Sequence, residues 1–343
     1  MREDEFTELA AAYQAELRAH CYRILGSVHD AEDALQEALV RAWKGIDRFE
    51  GRASVRSWLY AIATNTALDI ARHRSRREFA VDLGAPAEAG AELDPPVTEL
   101  PWLEPFPDRW LTLSGQPTPE ARYEHRESIE LAFVAAVQHL PPLQRAVLLL
   151  REVAGFSAAE IAGQLGTSAA SVTSALQRAR VTMAARRPAG QQPALRTLGD
   201  ARTRKLVTQY ADAMENGDIV ALVGLLTEDV TWSMPPIPTW YRGLGPVRDF
   251  LLRYPLTDRW RHRPTGANGQ PAVAGYVYDE DVGRFIPASI DVLTLSSDGG
   301  RIAAVTGFLT ANLIGSQDAG SWISGAELFA RFGLPADPPE PGD

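Results

Sequence analysis

One stretch of this chain cannot fold by itself, and it sets how the rest divides. Residues 80 to 120 carry eight prolines and eight acidic side chains against a single basic one, Arg109. That composition buries too little apolar surface to offset the entropy of ordering it, so the stretch reads as a linker. Within it Trp102, Leu103, Phe106 and Trp110 are too apolar for an idle tether. They are expected to dock on a neighbouring domain, because together in water they would be sticky. A second break follows at Pro188, Gly190 and Pro193, and the end, PADPPEPGD, reads as a disordered acidic tail. The breaks leave a helical block at 1–78, a linker at 79–119 and a second helical block at 120–187. A short linker at 188–201, an α+β block at 202–335 and the tail at 336–343 complete the chain. With 45% hydrophobic residues it can build two or three cores.

The net charge of −10 argues against a protein that coats nucleic acid without selectivity, since phosphate binding needs clustered cations. A local basic face on an acidic chain remains compatible with specific binding. Cys21 is the one cysteine, so no intramolecular disulfide forms. The six histidines (His20, His29, His73, His125, His139, His262) show no metal-ligand spacing, and neither metal nor cofactor is expected. The opening MREDEFTELA lacks a signal-peptide pattern and no apolar run has membrane-spanning length, so a cytoplasmic protein without membrane partners is expected.

The sharpest local pattern lies between Leu143 and Arg187. Leu143, Ala146, Val147, Leu150 and Ala154 form one apolar stripe that Gly155 ends. Ser157 and Glu160 have the form of a capping box opening a short helix through Ile161 to Leu165. Gly166 supplies a tight turn, and Thr167 or Ser168 can cap a longer helix. Val172, Leu176, Ala179 and Met183 line one of its faces, with Ser168, Ser171, Thr173, Ser174, Gln177 and Arg178 off that face. Such a helix–turn–helix delivers side chains to a major groove; the same spacing also describes a packed helical hairpin.

HLPPLQRAVLLLREVAGFSAAEIAGQLGTSAASVTSALQRAR resembles region four of the sigma-70 family, and the resemblance implies reading of the −35 promoter element. This chain departs from it at Thr173 and Ala175, where members commonly carry cations. Fewer cations mean fewer phosphate contacts and a shallower salt dependence, although Arg178, Arg180, Arg186 and Arg187 remain.

In DAEDALQEALVRAW, Ala31, Leu35, Leu39 and Ala42 share one helical face, and Asp30, Asp33, Gln36, Glu37 and Arg41 the other. Periodicity alone makes the second a solvated charged face. The segment is similar to region 2.2 of the extracytoplasmic-function sigma factors. That resemblance implies a grip on the clamp helices of the polymerase β′ subunit, where carboxylates suit an Arg-bearing partner. FEGRASVRSWLYAIATNTALDIARHRSRR resembles regions 2.3 and 2.4, which open and read the −10 element. Val55, Leu59, Ile62 and Ile70 are expected in the core, with Trp58 as a core anchor. Arg52, Arg56, Tyr60, Asn65, Arg72, Arg74, Arg76 and Arg77 are expected to face outward. Cations with aromatic rings suit single-stranded DNA, where stacking contributes roughly 1–3 kcal/mol per base. By the resemblance, the loop Gly51 to Ser54 with Asn65 contacts a flipped base.

After residue 202 two amphipathic helices are expected to break at Asn216-Gly217-Asp218. Strand-like runs follow, with a helix around Pro246 to Tyr254 and a hairpin turn at SSDGGR. The spacing of WSMPP, WYRG, ANGQPA, VTGFL and RFGLP resembles the SnoaL-like domain fused to large actinobacterial sigma factors, an α+β cone. The resemblance implies regulation in cis, with a small molecule in the cone as a possible partner. Trp232, Met234, Trp240 and Tyr241 either line an apolar cavity or fill it as core. Asp291 and His262 are acid–base candidates by type, yet a surface Asp and a satisfied His are commoner, so no catalytic residue and no enzyme activity are expected. The whole chain is therefore expected to be multidomain: two all-α sigma domains, the second a helix–turn–helix, then an α+β SnoaL-like domain. Its expected partners are core RNA polymerase and promoter DNA.

Overall fold

The computed structural model describes residues 3–49, 51, 53–111, 126–186, 190–315 and 322–338. Arg52, His125 and Arg187 lie outside these residues, as does the tail beyond 338. The chain forms two compact units, each assembled from two stretches: Met1–Arg77 with Trp110–Gly190, and Glu78–Arg109 with Gln191–Asp343.

The first unit is helical. α1 (Glu3–Leu25) ends at Gly26, whose φ of +67° suits glycine, and Ser27 caps α2 (Val28–Gly45) by accepting from the Asp30 amide. Ser54 caps α3 (Val55–His73) in the same way. Leu17, Tyr22 and Ile24 of α1, Ala31, Ala34 and Leu35 of α2 and Leu59, Ala63 and Ala67 of α3 are all buried in this set of mutually packed helices. The buried face of α3 is rotated from the expected one: Val55, Ile62 and Ile70 are only half-buried, whereas Tyr60 is 3% exposed. Small Ala63 and Ala67 let the helices approach closely, and that takes precedence over the larger aliphatics. Trp58 is half-buried against Phe49, ring centroids 5.0 Å apart.

α4 (Leu131–Gln138), α5 (Pro142–Glu152), α6 (Ala158–Gln164) and α7 (Ala169–Arg186) follow. Ser157 and Glu160 make both bonds of the capping box, and Gly155 and Gly166 adopt φ of +78° and +61° at the helix breaks. Leu143 is 45% exposed and leaves the expected stripe. Arg145 is buried instead, donating to the carbonyls of Ile24, Gln138 and Leu140. Arg23 donates to the Ser128 carbonyl at 3.0 Å, so buried guanidiniums that satisfy backbone oxygens join the two helical sets.

The second unit is an α+β layer. α8 (Gln192–Leu198), α9 (Asp200–Glu215), α10 (Ile219–Gly224) and α11 (Leu244–Arg253) accompany a six-stranded mixed sheet. Its strands are β1 (Leu226–Met234), β2 (Ile237–Arg242), β3 (Trp260–Ala267), β4 (Gln270–Asp279), β5 (Arg284–Leu295) and β6 (Ile302–Leu309), ordered β2-β1-β6-β5-β4-β3. Only β1 and β6 run parallel. Asp218 caps α10 after Gly217, and β5 and β6 form a hairpin through Gly299 at φ +71°. α12 (Ala311–Ile314) and α13 (Gly325–Phe332) close the unit.

Both expected linkers carry ordered structure. α8 lies within 188–201, and the Gln191 side chain accepts from the Leu295 amide at 2.8 Å. Residues 78–109 pack on the sheet: Trp102 is buried with Ala80 and Trp240. Phe106 exchanges hydrogen bonds with Asn268, both 2.8 Å. Asn268 and Gly269 turn β3 into β4 with positive φ, and Asp108 accepts from the Gly269 amide at 2.7 Å. Aromatic burial and backbone pairing together order what composition alone would leave loose. Trp110 lies in the other unit, its ring 4.8 Å from the Arg18 guanidinium.

Candidate functional site

Three surfaces hold the candidate residues. On α7, Val172, Ala175, Ala179 and Met183 turn to the core, leaving Ser171, Thr173, Ser174, Gln177 and Arg178 exposed beside Ser168 at the helix start. Ser168 accepts from the Ser171 amide at 3.1 Å. Ala175 is 2% exposed, so a cation there would point into packed side chains rather than toward phosphate. Arg180 is paired with Glu152 at 2.5 Å.

On α2, Asp33, Gln36, Glu37 and Arg41 are exposed. Arg41 bonds Glu37 at 2.8 Å and approaches Asp69 at 3.5 Å, while Asp33 lies 3.7 Å from His29. Val40 and Trp43, 45% and 41% exposed, add apolar area beside this face. Their spacing from Glu37 is visible in the sequence, where single apolar residues on a charged helix face read as ordinary surface. Asp30 does not belong to the face. It is 2% exposed, and its two oxygens take Arg77 and, at 3.2 Å, Arg74. Its place in the first turn of α2 points it at the chain leaving α3.

The residues expected to face −10 DNA are largely committed within the first unit. Arg56 bonds Glu16, donates to the Ala154 carbonyl at 3.0 Å, and lies over the Tyr60 and Phe156 rings at 4.8 and 5.0 Å. Tyr60 donates to Glu16 at 2.8 Å; burial beside that carboxylate raises its phenol well above the ordinary value. Asn65 donates to the Ala61 and Gln164 carbonyls at 2.7 and 3.0 Å. Arg72 pairs with Asp69 at 2.7 Å, and Arg76 reaches His139 at 2.6 Å. Arg56, Tyr60 and Asn65 are thus drawn inward by Glu16 of α1, by the loop between α5 and α6 and by the end of α6, a long-range packing that helical periodicity does not encode.

The third surface is a cavity of about 420 Å³ inside the second unit. Trp232 and Met234 line it. Trp240 does not: its indole donates to the Gly84 carbonyl at 3.1 Å, away from the hollow. Tyr241 is 1% exposed and stacks on Phe250 at 5.0 Å, filling core. Asp291 and His262, by contrast, both line the hollow. Asp291 is no surface residue. It is 6% exposed, accepts from Tyr210 at 3.0 Å and Ser289 at 2.9 Å, and burial pushes its carboxyl up to about 6. His262 is not satisfied either: neither ring nitrogen has a hydrogen-bond partner among the described residues, and burial lowers its pKa to about 3, keeping it neutral. Glycine makes the room: Gly275 lies between His262 and Ser289 across the strands, and Gly307 lies opposite Asp291. A Cβ on Gly275 would come within 2.8 Å of the Ser289 hydroxyl.

Among the described residues no group of three or more His, Cys, Asp or Glu could hold a metal, and no helix is long and apolar enough to cross a membrane. Cys21 is buried, its thiol pushed up to about 12, and neutral His20 bonds Thr64 at 2.9 Å.

The chain matches the models of sigma-70 region 2 over residues 9–77, sigma-70 region 4 over 130–183 and the SnoaL-like domain over 207–305. It is 40% identical over 340 residues to the ECF RNA polymerase sigma factor SigG of Mycobacterium tuberculosis, an alignment covering 97% of this chain and 85% of the relative. The ECF sigma factor SigJ of the same organism is 30% identical over 279 residues, 79% of each chain. The crystal structure of SigJ superposes with a TM-score of 0.56 at 22% identity over 96% of this chain and 99% of that one, and so shares the fold. With sigma-70 regions 2 and 4 ahead of a SnoaL-like domain, and a relative this similar along nearly its whole length, the chain belongs to the extracytoplasmic-function RNA polymerase sigma factors.

Proposed function

We propose that this sigma factor docks on the β′ clamp helices through Asp33, Gln36, Glu37 and Arg41, and reads −35 DNA with the exposed side of α7. The observation that carries the docking reading is the exposed carboxylate face of α2 with Val40 and Trp43 beside it. Charge complementarity steers encounter and apolar area holds the complex. −10 DNA is read by the segment from Gly51 to Arg77, with Arg74 and Arg76 following phosphates. For Arg56, Tyr60 and Asn65 to meet bases, the contacts to Ala154, Phe156 and Gln164 must first break. Promoter reading therefore begins with an opening of the first unit. The SnoaL-like domain is a regulatory rather than enzymatic element, acting in cis and answering to a small molecule.

Run-off transcription with core polymerase tests this reading. Full-length protein initiates from a cognate promoter, and charge reversal at Asp33 and Glu37 abolishes initiation while the fold survives. Initiation that is indifferent to both changes overturns the docking assignment.

A further inference from the structure

The cavity in the second unit has a charge pattern unlike that of the surfaces above. At its floor lie Asp291, Ser289 and His262, and at its rim Asp94, Asp258 and Arg253. Among the described residues the floor holds one carboxylic acid and no cation. Arg253 lines the rim, where its guanidinium donates to the Ala91 carbonyl at 2.9 Å and lies over the Tyr254 ring. Glu215, on α9 behind His262, adds another carboxylate 3.9 Å from its Nδ1. Acids therefore outnumber the one rim cation and disfavour carboxylate and phosphate ligands, while Asp291 is bonded by the Tyr210 and Ser289 hydroxyls and by no cation among the described residues.

The remaining walls are apolar and aromatic: Trp232, Phe250 and Trp260 with Met214, Met234 and Leu309. Ring faces attract a cation that has left water, and an acid at the far end would neutralise it. His262, neutral and unpartnered, offers one acceptor nitrogen to an ammonium N–H. Trp260 stacks on it at 5.6 Å, 25° from parallel, and holds the ring in place.

We propose that this cavity binds a small apolar amine, its ammonium at Asp291 and His262 and its hydrocarbon among the aromatic walls. Leu93, Asp94 and Pro96, from the stretch that joins the two helical sets along the chain, form one wall of the cavity. A bound amine thus touches that stretch directly. Asp94 is fixed there by the Thr239 hydroxyl, which donates to it at 2.6 Å. This goes beyond the promoter reading and is tested on the free full-length chain, so either can fail alone.

The test is a calorimetric titration with three matched probes: phenethylamine, phenethyl alcohol and phenylacetate. The amine binds about tenfold or more tighter than the alcohol, and phenylacetate does not bind. Amine affinity falls ~tenfold from pH 7 to pH 5 as Asp291 is protonated, while alcohol affinity holds. Asp291→Asn makes amine and alcohol equal. The proposal is overturned if no probe binds at millimolar concentration, if alcohol or acid matches the amine, or if the amine binds a folded Asp291→Asn chain unchanged. Should that variant not fold, the probe ranking and pH profile of the unaltered chain decide alone.

Discussion

Asp30 and Arg77 form a buried ion pair, 3% and 12% exposed at their side chains, with Arg74 on the second Asp30 oxygen. The pair fastens the start of α2 to the chain leaving α3. It also separates two kinds of acid on one helix: Asp30 is structural, whereas Asp33 and Glu37 are open to a partner. Asp30→Ala removes the carboxylate that Arg77 and Arg74 share and is expected to lower stability by about 3–5 kcal/mol. Urea denaturation followed by circular dichroism measures this, and a midpoint shift near zero would mean the pair holds nothing.

Charge reversal at Asp33 and Glu37 is expected to do the opposite. Both side chains are exposed, so the melting temperature should hardly move, while affinity for core polymerase drops at low salt. Equal binding of reversed and native proteins in a pull-down would remove α2 from the interface.

Phe156 stands edge-on to Tyr60 at 5.1 Å and under the Arg56 guanidinium. Phe156→Ala should weaken this packing by about 3 kcal/mol and favour the open form. Hydrogen exchange in α3 then quickens, and association of the holoenzyme with −10 DNA accelerates. Native exchange together with native association would show that these contacts gate nothing.

The buried acid and the buried histidine of the cavity act on stability in opposite directions. His262 titrates near 3 in the fold against 6.5 ordinarily, so its contribution is complete above pH 6.5 and is lost as pH falls. From pH 7 to 5 that loss is about 2 kcal/mol. Asp291 titrates near 6 against 3.8, so the fold gains a proton first and recovers ~1 kcal/mol over the same range. Thermal melts should therefore show Asp291→Asn losing more stability between pH 7 and 5 than the unaltered chain. Parallel pH profiles would contradict this.

The helix–turn–helix was legible because caps and glycines are local. Ser157, Glu160, Gly155 and Gly166 fix its geometry within a few residues of chain. The SSDGGR hairpin and the Asn216-Gly217-Asp218 break were legible for the same reason. What escaped depends on partners distant in sequence. Arg56 meets Ala154, Asn65 meets Gln164, and Asp30 meets Arg77. No periodicity announces such pairs, and a polar residue on an amphipathic helix reads as exposed until another helix covers it. Within the cavity, Trp232 and Trp240 look alike in sequence. Strand alternation and the docking of residues 78–109 send one inward and the other against Trp102.

The second unit is stitched from two separated stretches, and this changes what shortening the protein means. A chain cut near residue 200 keeps Trp102, Leu103 and Phe106 but loses the sheet that covers them. Such a fragment acquires a slack, greasy connector at the same stroke as it sheds its C-terminal half. Any altered output would then mingle two causes, so the regulatory role of that half is better judged by point substitutions than by scissors.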